Sequence, residues 1–204
     1  FPQFWLPSVY FVPGGTQASA SISGADPLNH HLYAAELGID SRVGAPREYL
    51  AYSYGGLPFL INAGISNDYF YIYGTGQSAH YLFGSVSTRH FLFSDSNKWS
   101  LSPEFTYRQT EPTGFSFTQG GPGLLLSYNG LSAIKDYQVS PESGIAFNLG
   151  YDYYPSSIGN TSYGNIRADF ASYLSGGILP ARHVFAFKAA AWVAPWQQTI
   201  FTGT

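Results

Sequence analysis

The sequence predicts an all-β chain, an antiparallel up-and-down transmembrane β-barrel with about ten visible strands, whole in itself or part of a larger barrel. Three observations predict it. The first is Gly144 to Tyr154, which reads GIAFNLGYDYY. Ile145, Phe147, Leu149, Tyr151 and Tyr153 share one parity, while Gly144, Ala146, Asn148, Gly150 and Asp152 share the other. Strict alternation of this kind marks a strand with one apolar face and one small or polar face. The run matches the roughly 9–11 residues that cross a bilayer at a tilt, and its apolar face ends in tyrosines suited to an interfacial girdle. The second observation is composition: charged residues are 10% and aromatics 18%, with 23 glycines, yet the mean hydropathy is only -0.06. Few charges without overall greasiness fit lipid outside and water or small side chains inside, although an aromatic-rich soluble sandwich has the same composition. The third is that no helical segments alternate with the strands and no run of about 18 apolar residues occurs, so neither a parallel sheet nor a transmembrane helix is expected. The longest apolar stretch, Val184 to Trp196, is broken by Lys188 and Pro195.

Residues 1–29 are expected to form an N-terminal coil, an interfacial anchor or a plug, because Pro2, Pro7 and Pro13 argue against a central strand. The barrel is expected over residues 30–204. Leu32 to Asp40 places Tyr33, Ala35, Leu37 and Ile39 on one face and Glu36 and Asp40 on the other. Ser41 to Pro46 reads as a turn, Glu48 to Tyr54 as a strand, and Gly55-Gly56 as the next turn. Phe59 to Ile65 alternates; Ser66-Asn67-Asp68 reads as a turn. Tyr69 to Tyr73 is aromatic on both parities, and Ser78 to Thr88 is irregular enough to suggest a bulge. From Trp99 to Arg108 the alternation is clean, with Trp99, Leu101, Phe105 and Tyr107 opposed to Ser100, Ser102, Glu104, Thr106 and Arg108. Thr110 to Gly121 reads as a Gly-rich loop, Leu124 to Asp136 as a strand, and Ser140 to Ser143 as a tight turn into Gly144. Pro155 to Ser162 is a loop, Ile166 to Ala171 a strand, Gly176 to Ala181 a turn, and His183 to Val193 the last strand. Short turns at 140–143 and 176–181 against longer loops at 110–121 and 155–162 place the former on the periplasmic side.

Charges and aromatics then divide by parity. Glu36, Asp40, Glu104, Arg108, Asp152, Arg167, Asp169 and Lys188 are expected to face the lumen. Trp99, Phe105, Tyr107, Phe147, Leu149, Tyr151, Tyr153, Phe170, Phe185 and Phe187 are expected to face lipid or form its girdle. An unpaired Arg or Lys facing lipid at mid-bilayer costs about 2–4 kcal/mol, which independently favours this orientation. The lumen charges either set solute selectivity or hold a plug, or pair across neighbouring strands, Arg167 with Asp152 or Asp169 being the obvious pairs. Net charge is -3 and no basic patch exists, so no nucleic-acid partner is expected. There is no Cys, hence no disulfide, thiol chemistry or Cys-based zinc site. His30, His31, His80, His90 and His183 are the histidines; adjacent His30 and His31 point to opposite faces of a strand, so no metal site is expected. No G-x-S-x-G stretch and no phosphate loop occur. No catalytic residues, no cofactor and no enzyme activity are expected. There is no Met, so a processed chain or a piece of a longer one is expected.

Several short motifs resemble a known family. They are SPESG at Ser140 to Gly144 with the strand after it, then Tyr163, Asp169, Tyr173-Leu174 and PARHVFAF at Pro180 to Phe187. With them, the run from Ser140 to Ala191 resembles the barrel region of the bacterial outer-membrane surface-antigen (BamA-like) superfamily. FWLP at Phe4 to Pro7 and GADPLNHHLY at Gly24 to Tyr33 are similar to barrels that follow TolB-like propellers. No polypeptide-transport-associated domain and no Arg-Gly-Tyr or Arg-Gly-Phe tripeptide is present, so insertase activity is not carried over. The resemblance implies a bacterial outer-membrane barrel, either a fragment of a larger one or a smaller relative. The expected function is a translocation pore or membrane anchor embedded in outer-membrane lipid. The alternatives are a scaffold barrel for periplasmic or surface protein partners and, from a different class, a soluble barrel that binds an apolar ligand.

Overall fold

The computed structural model describes residues 4–72, 77–93, 98–111, 116–131, 143–175 and 184–199, and among them there are strands and no helix. The strands are β1 (Phe4–Val12), β2 (Gly15–Ala25), β3 (His31–Asp40), β4 (Ala45–Tyr54), β5 (Phe59–Ile72), β6 (Gln77–Phe91), β7 (Trp99–Glu111), β8 (Phe117–Asn129), β9 (Gly144–Tyr154), β10 (Thr161–Ser175) and β11 (Val184–Thr199). They form one 11-stranded sheet in which each strand pairs antiparallel with the next. The up-and-down topology is as expected. β1 and β11 are its two edges and do not pair with each other, so the sheet is not closed into a barrel.

Directly paired residues lie on the same face of an antiparallel sheet. One row runs Leu6, Ser21, Glu36, Tyr49, Ser66, Phe83, Arg108 and Gln119. A row on the opposite face runs Tyr33, Tyr52, Ala63, Val86, Phe105 and Pro122. The first face is concave, since Arg167 on β10 reaches Glu104 on β7 across the two strands between them.

Burial on this sheet is inverted relative to a water-soluble fold. The buried side chains include Asp40, Ser100, Ser102, Gln119, Asp152 and Thr161, all on the concave face. The convex face exposes Leu37, Leu50, Ile65, Val86 and Leu149, with Leu37 66% and Leu50 52% exposed. A soluble monomer rarely leaves a contiguous apolar face of this extent open to water.

Several expectations are corrected. Residues 4–12 and 15–25 are strands rather than coil. β1 keeps Pro7 because it is an edge strand, where a missing ladder donor is tolerated, and Pro13-Gly14, with Gly14 at φ 84, makes the turn into β2. Ser66-Asn67-Asp68 does not turn, because the β6 ladder carries it straight through opposite Phe83, Leu82 and Tyr81. The bulge is absent from the β6 ladders and falls instead between β10 and β11 at Gly164/Ile166, opposite the stretch from Val193 to Trp196 that contains Pro195. The end of the segment expected as a Gly-rich loop, Phe117 to Gly121, belongs to β8, and its start, Thr110 and Glu111, to β7. Its glycines mark close approach rather than a turn: a Cβ on Gly120 would meet Ile158 at 2.8 Å. β8 ends at Asn129, and Gly130 and Leu131 stand outside it; residues 132–136 of the expected strand lie outside the described residues. The turn residues Ser140 to Glu142 and Gly176 to Ala181, and His183, lie outside the described residues.

Candidate functional site: the concave polar face

Each concave-facing charge stands on a strand whose opposite parity is apolar, so the pleat alone aims it. The register places Glu36, Asp40, Glu104, Arg108, Asp152, Arg167, Asp169 and Lys188 on the concave face. It places Trp99, Phe105, Tyr107, Phe147, Leu149, Tyr151, Tyr153, Phe170, Phe185 and Phe187 on the convex face. Asp40 and Asp152 are buried, 0% and 5% exposed, Glu36, Glu104 and Arg167 are half-buried, and Arg108, Asp169 and Lys188 are exposed.

One cluster ties β2 to β5. Gln17 Nε2 donates to Asp40 Oδ2 at 2.7 Å, and Asp40 Oδ1 also accepts from the Arg42 backbone N–H at 3.0 Å and from its Nε at 2.9 Å. Arg47 donates to Asp68 Oδ2 at 2.7 Å and to Gln17 Oε1 at 3.2 Å. A carboxylate buried without partners would be costly; Asp40 escapes this by taking its bonds from the turn that follows it. Arg47 and Asp68 escape sequence reasoning because residues 66–68 look like a turn. The available signal is their opposite charge at positions the β4–β5 register brings together.

The second cluster spans β7 to β10. Arg167 donates to Glu104 Oε1 at 2.6 Å and sits 3.7 Å from Asp152 Oδ1. Asn165 Nδ2 donates to Asp152 Oδ2 at 3.2 Å. Of the two partners expected for Arg167, Asp152 is one; Asp169 makes no ion pair among the described residues, and Glu104, two strands away, is the stronger contact. Glycine makes this reach feasible. A Cβ on Gly150 would come within 2.6 Å of Arg167 Nε, and one on Gly123 would strike Asp152 and meet Glu104 Cγ at 3.0 Å. The long side chains therefore lie flat over a floor without side chains. Nearby, Tyr163 Oη donates to Gln119 Oε1 at 2.7 Å, and the Tyr154 and Tyr163 rings are 4.8 Å apart. Arg108 sits over the Tyr81 ring at 5.9 Å, and Lys188 over Tyr173 at 6.0 Å.

On the convex face, aromatic pairs gather near strand ends: Trp99 with Tyr128 at 4.8 Å, His31 with Tyr54 at 4.8 Å, and Tyr69 with His80 at 5.1 Å. His31, His80 and His90 all stand on this face, where His31 Nδ1 is 2.7 Å from Tyr52 Oη and His90 stacks on Phe59 at 4.8 Å. No group of three or more metal-ligating side chains comes together among the described residues. No family model matches the chain, and no curated protein matches it.

Proposed function

We propose that this sheet is a membrane-spanning wall of a bacterial outer-membrane β-barrel, and that its concave face lines a translocation pore. The observation that carries the proposal is the inverted burial: polar side chains such as Asp40, Gln119 and Asp152 are the buried ones, while Leu37, Leu50, Ile65 and Phe185 are exposed. An apolar band around a polar interior is the physics of a barrel in lipid. Strand length supports the reading, since β6 and β10 have 15 residues and β11 has 16, more than the roughly 9–11 needed to span. So do the aromatic and histidine pairs near strand ends, which suit the two membrane interfaces. The shorter connections, at Pro13-Gly14 and Ser41 to Gly44 among others, take the periplasmic side on the usual rule. The resemblance to the surface-antigen superfamily belongs to the same proposal: Tyr163, Asp169, Tyr173 and Leu174 all stand on β10.

The open edges argue for a larger wall. In lipid every backbone N–H and C=O must be satisfied within the protein. Eleven alternating strands leave β1 and β11 running in the same direction. An all-antiparallel closure therefore takes an odd number of further strands.

Flotation tests insertion: the refolded chain is expected to rise with phosphatidylcholine vesicles through a density gradient and to stay there in alkaline carbonate. A chain that stays monodisperse without detergent and remains at the bottom is a soluble sheet protein instead. Conductance across a planar bilayer then separates a pore from an anchor or scaffold.

A further inference from the structure

We propose that the concavity between β6 and β10 is a subsite for a neutral polyhydroxylated solute the size of a sugar ring. The proposal deepens the pore reading and rests on the concave face being in contact with water. The concavity measures about 220 Å³, and its lining includes Phe83, Glu104, Arg108, Asp152, Tyr154 and Arg167. That is less than the roughly 300–1,000 Å³ of sites for drug-sized ligands.

Three features select the class of solute. The first is charge. Two carboxylates, Glu104 and Asp152, face two guanidiniums, Arg108 and Arg167, so the lining has no net charge to favour an anion or a cation. The second is hydrogen-bonding capacity beyond what the protein uses. Arg108 is exposed and makes no ion pair among the described residues, and the Arg167 and Glu104 side chains stay 40% and 20% exposed beside their mutual bond. Carboxylate, guanidinium and amide are planar two-atom groups, each able to take a pair of neighbouring hydroxyls at once. The third is the rings. Phe83 on β6 and Tyr154 on β9 line the concavity. Aromatic faces carry the negative side of the ring quadrupole and suit the C–H face of a sugar.

Saturation-transfer NMR on the full chain in detergent micelles tests this, with maltose as probe and inorganic phosphate and putrescine as competitors. Transfer to the maltose ring protons is expected, with a saturable Kd that neither competitor raises. Arg108→Gln and Glu104→Gln are each expected to raise that Kd about tenfold, the effect of losing one hydrogen bond to a charged group. Asn148→Ala, on the same face beyond the concavity, is expected to leave it unchanged. Absence of transfer, displacement of maltose by phosphate or putrescine, or a Kd indifferent to both variants overturns the proposal. Binding is read in micelles and insertion by flotation, so a chain that floats without binding maltose sinks the subsite alone.

Discussion

At the scale of single residues, Arg167 does the most on the concave face. It holds two carboxylates from two other strands and lies across Gly150. Arg167→Ala leaves Glu104 and Asp152 facing each other without their cation. The expected cost is about 1–2 kcal/mol, less than the ~3–5 of a fully buried pair, because the guanidinium is 40% exposed. Urea unfolding in micelles measures it, and a double-mutant cycle with Glu104→Gln shows the coupling. Gly150→Val is expected to evict the same guanidinium from above and to cost about 1–3 kcal/mol as an overpacking change; if it costs nothing, the glycine floor is not what lets Arg167 reach β7. A different residue contributes to behaviour in acid. Asp26, in the connection from β2 to β3, has its carboxyl held below the usual range, first by the His31 backbone N–H at 2.7 Å and then by those of Leu28 and His30, against desolvation that pushes it up. A lowered folded pKa gives stability that is complete above the ordinary carboxyl range near pH 4 and is lost as pH falls below it. Thermal midpoints taken from pH 6 to pH 2 are expected to converge for Asp26→Asn and the parent at the acid end and to differ at pH 6.

At the scale of the strand, parity decides everything, because a shift of one residue exchanges the two faces. Leu149→Arg puts a cation on the convex face of β9 and is expected to destabilise the protein in lipid by about 2–4 kcal/mol. Asn148→Arg, one residue earlier and opposite Asp169, is expected to be nearly neutral. Equal costs would mean that the two faces of β9 see the same medium. β9 was also the strand most legible in the sequence, since its alternation runs unbroken from Gly144 to Tyr154 and its bounds match the structure. β1 and β2 were hidden because their local signals oppose their state: prolines punctuate one, and Ser and Ala alternate in the other with almost no apolar contrast. Ser66 to Asp68 and Gly120-Gly121 read as turn or loop for the same reason. Residues favoured in turns by their backbone chemistry are held extended here by the ladders to β6 and β7. The concave charges were legible individually from parity. Of their grouping, Arg167 with Asp152 on the adjacent strand was legible; Arg167 with Glu104 was not, because a reach across two strands depends on curvature, and curvature leaves no mark in a single strand's alternation.

At the scale of the whole molecule, the sheet has two faces of opposite character and two open edges. The edges carry large exposed side chains, Trp5 and Phe11 on β1 and Phe185 and Trp192 on β11, with Phe11 88% exposed. An unpaired edge of this kind invites pairing with another strand. Because β1 and β11 run the same way, cysteines placed on these two strands of the otherwise Cys-free chain are expected not to cross-link to each other in vesicles. A disulfide between them would mean direct closure through a parallel pair. The central claim, that the convex face lies against acyl chains, is tested most directly by spin labels placed one at a time along β9 in lipid vesicles. Their relaxation by oxygen is compared with that by a water-soluble nickel chelate. Labels at Ile145, Phe147, Leu149, Tyr151 and Tyr153 are predicted to respond to oxygen, and labels at Ala146, Asn148, Gly150 and Asp152 to the chelate. A response of the first set to the chelate, or its exclusion from both reagents, would contradict the account.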